Sequence, residues 1–290
     1  MAYLFLLILI VFSALLSIFG SLFNKKNASF QGFAMLYNVI VIGSACFSWG
    51  IIYLTDFSFD AGVIPYALGY AIGYAMALIS LFKALECGPV SLTALLKSIS
   101  IIMPSFWGFL FWGEIPTSLI IIGMILVLAS LILCFVQKSK GKKQDIPAKW
   151  FFYVLLLVIG NGGSLILQNY QQRAFDGAHK NMLMFFATGV ATLITLVLFL
   201  AKRKENTLTR AALSKTFYIP IATGVSSAVF NLVLMVVRPL LPASLIYPAT
   251  AVGAIIVTTL FSAIVCRERL RPMQWVGLGV GCVALVFLNL

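Results

Sequence analysis

Apolar residues run almost unbroken along this chain, and the interruptions are short. Stretches of about 20 apolar residues, the length a helix needs to cross a bilayer, are bounded by charges or turn residues. They fall at roughly 2–23, 30–54, 62–85, 89–112, 117–136, 150–168, 181–201, 213–237, 243–265 and 272–290. The pattern predicts an all-α integral membrane protein with ten transmembrane helices. A first repeat of five covers 1–136, a basic cytoplasmic linker covers 137–149, and a second repeat of five covers 150–290. Five is odd, so the second set enters the membrane from the opposite side. The two sets would form an inverted repeat with its ligand site near mid-membrane between them.

The clearest internal unit is 88–136, two apolar arms pinched together by Gly113-Glu114-Ile115-Pro116. A weaker copy lies at 241–290, with Cys266-Arg267-Glu268-Arg269 as its pinch. A shift of 154 (268 less 114) places Glu268 on Glu114 and Gly277 on Gly123, which signals duplication. A helix, a Gly-Glu pinch and a helix with a downstream glycine, present twice, resembles the EamA-type members of the drug/metabolite transporter superfamily. The second pinch here reads Arg-Glu, and Phe19-Gly20 stands where members often carry Trp-Gly. The resemblance implies a substrate path surrounded by helices 3, 4, 8 and 9, and a tendency toward efflux.

Composition narrows the class further. With 62% hydrophobic residues and 10% charged, the chain lacks the charge that a soluble surface needs. Its net charge of +12 sits mostly in short loops, where lipid phosphates and topology account for it, so no nucleic-acid partner is expected. The five cysteines lie singly in or beside apolar segments and the one histidine, His179, lies in a loop. No metal site, disulfide framework or Cys/His nucleophile follows. The first apolar segment has no basic residue before it and no small-x-small cleavage signal, so it reads as a retained helix.

Charge also sets an orientation. Loops after predicted helices 1, 5, 7 and 9 hold two, five, five and three basic residues, against Arg173, Lys180 and Arg238 alone in the opposite loops. The positive-inside rule makes the basic loops cytoplasmic and both termini extracytoplasmic, in a multi-pass protein of the bacterial plasma membrane.

Within the spans, Lys97 stands out because a charge there is costly and usually meets a cavity or a partner. Thr93, Lys97, Ser100 and Pro104 share one face of predicted helix 4. Lys97 either binds an anionic group or snorkels to the nearer headgroups. Predicted helix 8 aligns Ser227, Asn231 and Arg238. Asn231 suits interhelical hydrogen bonding or cargo contact, and Arg238, beside Pro239, suits an interfacial anchor more than a ligand. Tyr66, Tyr70 and Tyr74 form a stripe that packs or cages an organic cation. Tyr247, followed by Pro248, occupies the place of Thr93 under the 154 shift, and that proline frees a carbonyl. Asn161, Gly162, Gly163 and Gln168 mark close packing or a bend in predicted helix 6. Glu114 and Glu268 are expected to cap the helix that follows each of them, and Lys83 to pair with Glu86.

No Asp or Glu lies mid-span, so proton-coupled antiport of cationic drugs is disfavoured. No nucleophile–base pair or phosphate-cradling loop is present, so enzyme activity and ATP use are not expected, and no cofactor is implied. The expected function is a secondary transporter, by family tendency an exporter, of a small polar metabolite with an anionic group such as an amino acid. Its substrate site would comprise Lys97, Thr93, Ser100, Asn231, Tyr74 and Tyr247. Coupling would be facilitative or would use Lys97. Two alternatives are an organic-cation transporter and a membrane scaffold or lipid-carrier flippase component. Expected partners are the bilayer and the cargo, with a homodimer open. The orientation is directly testable: a reporter active only in the cytoplasm, fused after Leu290, stays dark, and a bright fusion contradicts the charge argument.

Overall fold

The computed structural model describes residues 1–26, 33–135, 147–201, 216–265 and 271–289. Most of the linker, the second pinch with Glu268, and the side chain of Glu86 lie outside the described residues. The described residues are 87% helical, with no strand among them. Its helices are α1 (Ala2–Lys26), α2 (Phe33–Thr55), α3 (Ile64–Cys87), α4 (Val90–Ser100), α5 (Met103–Phe111), α6 (Ser118–Phe135), α7 (Ala148–Ala174), α8 (Lys180–Ala201), α9 (Tyr218–Val237), α10 (Ala243–Ile264) and α11 (Pro272–Asn289).

Among the described residues, eight spans are long and apolar enough to cross a membrane, with α4 and α5 counted as one span, and the stretches Ser118–Cys134 and Pro272–Leu288 are shorter apolar helices. Large apolar side chains such as Leu7, Phe47, Ile72, Leu110, Ile125 and Leu193 are exposed on the helices. That surface fits an all-α multi-pass membrane protein, since lipid tails are the solvent such side chains suit.

Local chemistry explains where helices start and stop. Asp60 Oδ1 accepts from Gly62 N at 2.7 Å, starting a 3-10 turn at Ala61–Val63 that leads into α3. The stretch read as one helix over 89–112 is split in two. Pro104 has no N–H for the Ser100 carbonyl, so α4 ends there and two residues in tight 3-10 bonding lead into α5. α7 runs six residues past its predicted end at 168. This carries Asn169, Gln171 and Gln172 inside the protein, where all are buried.

Packing runs mainly between the first six helices and the last five. α3 lies on α7 and α8, while α9 lies on α1 and α2; α4 and α5 lie on α7, while α10 lies on α1; α2 meets α8 and α6 meets α11. One apolar core joins α1, α4, α5 and α6 to α9, α10 and α11 through Leu9, Leu95, Leu131, Leu234 and Ile246. A second joins α2, α3, α8 and α9 through Trp49, Tyr53, Tyr70, Met182 and Met235. The paired glycines of the two hairpins have a packing role. A Cβ on Gly123 would lie 2.9 Å from Leu288 carbons, and one on Gly277 would lie 2.7 Å from Cys134 Sγ. Ser130 Oγ seals the α6–α11 contact by donating to Gly277 O at 2.7 Å.

Candidate functional site

The loops 56–63, 112–117, 175–179 and 238–242 end or begin helices at one end of the bundle, called here the Glu114 end. Just inside it, Pro239 stops α9 and the side chain of Arg238 turns inward. Arg238 Nη2 donates to Tyr247 Oη at 2.6 Å and to Gln168 Oε1 at 3.0 Å. Its guanidinium carbon lies 5.9 Å from the Tyr247 ring centroid. Asn169 Nδ2 donates to the same phenolic oxygen at 2.7 Å, and Gln168 Nε2 reaches Asn231 Oδ1 at 3.5 Å, the long limit for a hydrogen bond. Asn231 Nδ2 in turn donates to Ser227 O at 2.9 Å. One buried polar chain therefore ties α7, α9 and α10 together. The expectation of an interfacial Arg238 is not what the geometry gives: its Nε and Nη1 are buried and make no hydrogen bond.

Two cavities adjoin this chain. The larger, about 840 Å³, opens at the Glu114 end and is lined by Asn169, Gln172, Arg238 and apolar residues including Met235, Leu241 and Ile246. Its volume is in the range of small-molecule sites. The smaller, about 30 Å³, lies among Trp49, Tyr70, Tyr74, Met184, Ser227 and Asn231, room for about one water. Tyr70 and Tyr74 stack there with ring centroids 6.0 Å apart.

Glu114 forms the rim, and it caps a helix other than the expected one. Its two carboxylate oxygens accept from Ala243 N and Ser244 N, both at 3.1 Å, at the start of α10. The start of α6 is served instead by Thr117 Oγ1, which accepts from Ile120 N at 3.3 Å. Gly113, at φ +68°, turns the chain back so that Glu114 N donates to Gly108 O at 3.2 Å. A Cβ on Gly108 would sit 2.9 Å from the Glu114 carboxyl carbon, so only glycine leaves this seat open. A carboxylate on free helix N–H groups is well placed. Ser105 Oγ adds a bond to Ala243 O at 2.9 Å. Arg173 of α7 approaches Glu114 Oε1 at 3.5 Å and covers the Trp112 ring at 4.7 Å.

The residues singled out in the sequence separate into two groups. Asn231, Tyr74 and Tyr247 belong to the Arg238 chain or the small cavity beside it. Thr93, Lys97 and Ser100 lie on α4, which starts at the opposite end. Thr93 Oγ1 accepts from Trp150 Nε1 and donates to Pro89 O, both at 3.0 Å. Ser100 Oγ accepts from Asn161 Nδ2 at 2.7 Å and donates to Lys97 O. Both hydroxyls thus join α4 to α7 or to its own backbone. Lys97 is exposed, and among the described residues none bonds its ammonium. Arg238 and Gln168 were noted in the sequence, the first mainly as an anchor and the second for packing or a bend, whereas Asn169 was not among the candidates. The signal available was the run Gln168 to Arg173, whose polarity looks like a loop until α7 is seen to continue through it.

No family model and no curated protein matches this chain. Among solved structures, one described only as the crystal structure of a protein is similar over 99% of this chain and 95% of its own. Its TM-score is 0.72 and its sequence identity 12%. At that identity the likeness establishes a shared fold alone.

The rim makes a testable claim. Glu114→Ala leaves the first N–H groups of α10 without acceptors and lowers stability by about 2 kcal/mol. Glu114→Gln keeps one acceptor and falls between, and Gly108→Ala shares the loss by pushing the carboxylate off its seat. Thermal melting in detergent reads all three, and melting points equal to the parent protein contradict the capping role.

Proposed function

We propose that the chain is a secondary transporter resembling the EamA-type drug/metabolite transporters, with ten membrane-crossing segments in two inverted repeats. The helix pairing supports the repeat. An inverted repeat exchanges α1 with α7, α2 with α8, α3 with α9, α4–α5 with α10, and α6 with α11. Under that exchange the α3–α7 contact becomes α9–α1, the α3–α8 contact becomes α9–α2, and the contacts of α4 and α5 with α7 become α10–α1. The α2–α8 and α6–α11 contacts map onto themselves.

The cargo reading is a small polar metabolite with an anionic group, moved by alternating access and, by family tendency, exported across the bacterial plasma membrane. The observation that carries it is the buried polar chain around Arg238 beside the 840 Å³ cavity. Asn231, Tyr247 and Tyr74 belong to this side. Thr93, Lys97 and Ser100 belong to the other, where the exposed Lys97 is the charge available when the cavity opens that way. Organic cations are less well served. Tyr70 and Tyr74 stack on each other, Tyr53 stacks on Phe185 at 5.4 Å, and the space among the aromatic residues is far too small for a quaternary amine.

Flux through proteoliposomes tests the reading. Amino acids or organic acids are expected to cross, and tetramethylammonium is not. Lys97→Met slows flux by about thirtyfold, since a hydrogen bond to a charged group contributes about 2 kcal/mol. Absence of flux for every compound favours a scaffold or flippase component instead.

A further inference from the structure

We propose that the guanidinium of Arg238 receives a carboxylate of the cargo, and that the cavity selects a compound carrying one negative charge there over a phosphate or a dicarboxylate. The inference rests on the transporter reading and names the cargo class for the same cavity.

A guanidinium has five N–H donors. The two on Arg238 Nη2 are taken by Gln168 Oε1 and Tyr247 Oη, which hold the group in one orientation. Among the described residues the Nε–H and both hydrogens of Nη1 have no acceptor, and both nitrogens are closed to water in this conformation, so a cargo meets them when the side chain turns into the adjoining cavity. Nor does any carboxylate lie within ion-pair distance of Arg238 among the described residues, where the Arg173–Glu114 pair stands alone in the cavity wall. A buried cation lacking both an anion and half its hydrogen bonds is costly in a bilayer-spanning protein, and such groups are found where a ligand completes them. An anionic ligand supplies the missing charge, with a carboxylate oxygen accepting from Nη1, which lies on a different edge of the group from the Nε–H.

Charge counting sets the valence. The cavity lining holds two carboxylates, Glu114 and Asp176, and three cations, Arg173, Lys180 and Arg238. Glu114 is committed to Arg173 and to the start of α10, and in the count the charge of Asp176 is equal and opposite to that of Lys180. The excess of +1 is the charge of Arg238. A monocarboxylate brings it to zero, while a dianion would leave −1 beside Glu114. The net charge of an amino acid is zero, but its carboxylate fits equally if the ammonium points toward Asp176 or water. Met235, Val236, Leu240, Leu241 and Ile246 make the rest of the wall apolar, which favours an aliphatic tail.

The alternative is that Arg238 only braces α7 against α10, and ligand selectivity separates the two. Full-length protein in detergent is melted with butyrate, L-leucine, succinate, inorganic phosphate or tetramethylammonium, as parent and as Arg238→Lys and Arg238→Gln. A ligand that binds only the folded state raises the melting temperature. Butyrate or L-leucine is expected to stabilise the parent. Binding is about tenfold weaker in Arg238→Lys, which keeps the charge but not the braced planar donor group, and is lost in Arg238→Gln. Stabilisation that survives in Arg238→Gln, or equal stabilisation by succinate or phosphate, overturns the inference. If neither variant folds, the selectivity of the parent decides. Stabilisation by tetramethylammonium alone also overturns it while leaving a transporter of another cargo. Butyrate binding at Arg238 with no flux in proteoliposomes instead overturns the transport reading and leaves the site.

Discussion

Hydrocarbon offers no hydrogen bonds, so every backbone or charged group placed at membrane depth must find its partner inside the protein. Most of this structure follows from that demand. Where Pro104 interrupts the ladder, the chain tightens into 3-10 bonding, and the adjacent Ser100 Oγ takes a bond from Asn161 of α7. Where α10 begins with free N–H groups, Glu114 comes from the other half of the chain to accept them. The demand is met almost everywhere among the described residues. Arg238 stands out because it is the charged group among the few with buried unsatisfied atoms.

The Glu114 seat shows how a local motif can act at long range. Gly108, Gly113 and Glu114 lie within seven positions, and together they place a carboxylate on a helix that starts 129 residues later. Arg173 brings α7 to the same carboxylate. Three elements that must separate if this end of the bundle opens are therefore tied by one side chain. The bonds are individually modest, each about 1 to 3 kcal/mol when one partner is a charged group. That scale suits a contact made and broken in the proposed transport cycle.

The all-α character and the run of membrane-length apolar helices were legible in the sequence, because span length depends on local composition. Helix ends were harder. The break at Ser100 needed Pro104 to be read against the carbonyl four residues before it, and α7 continued through a polar run that composition alone assigns to a loop. The pinch glutamate carried its capping chemistry on its face, but the helix it caps depends on tertiary packing. Arg238 posed the same difficulty: a basic residue beside a proline at the end of an apolar run normally reaches for headgroups. Only the proximity of Gln168 and Tyr247, 70 residues before it and nine after it, turns it inward. Lys97 was conspicuous because it interrupts an apolar stretch, and conspicuousness in sequence does not specify what the ammonium meets.

The most direct measurement is diffraction from crystals grown with 2-bromobutyrate, recorded at the bromine absorption edge. The account predicts an anomalous peak in the cavity between α7, α9 and α10, with the carboxylate on Arg238. A peak elsewhere, with Arg238 Nε and Nη1 still without an acceptor, would contradict it.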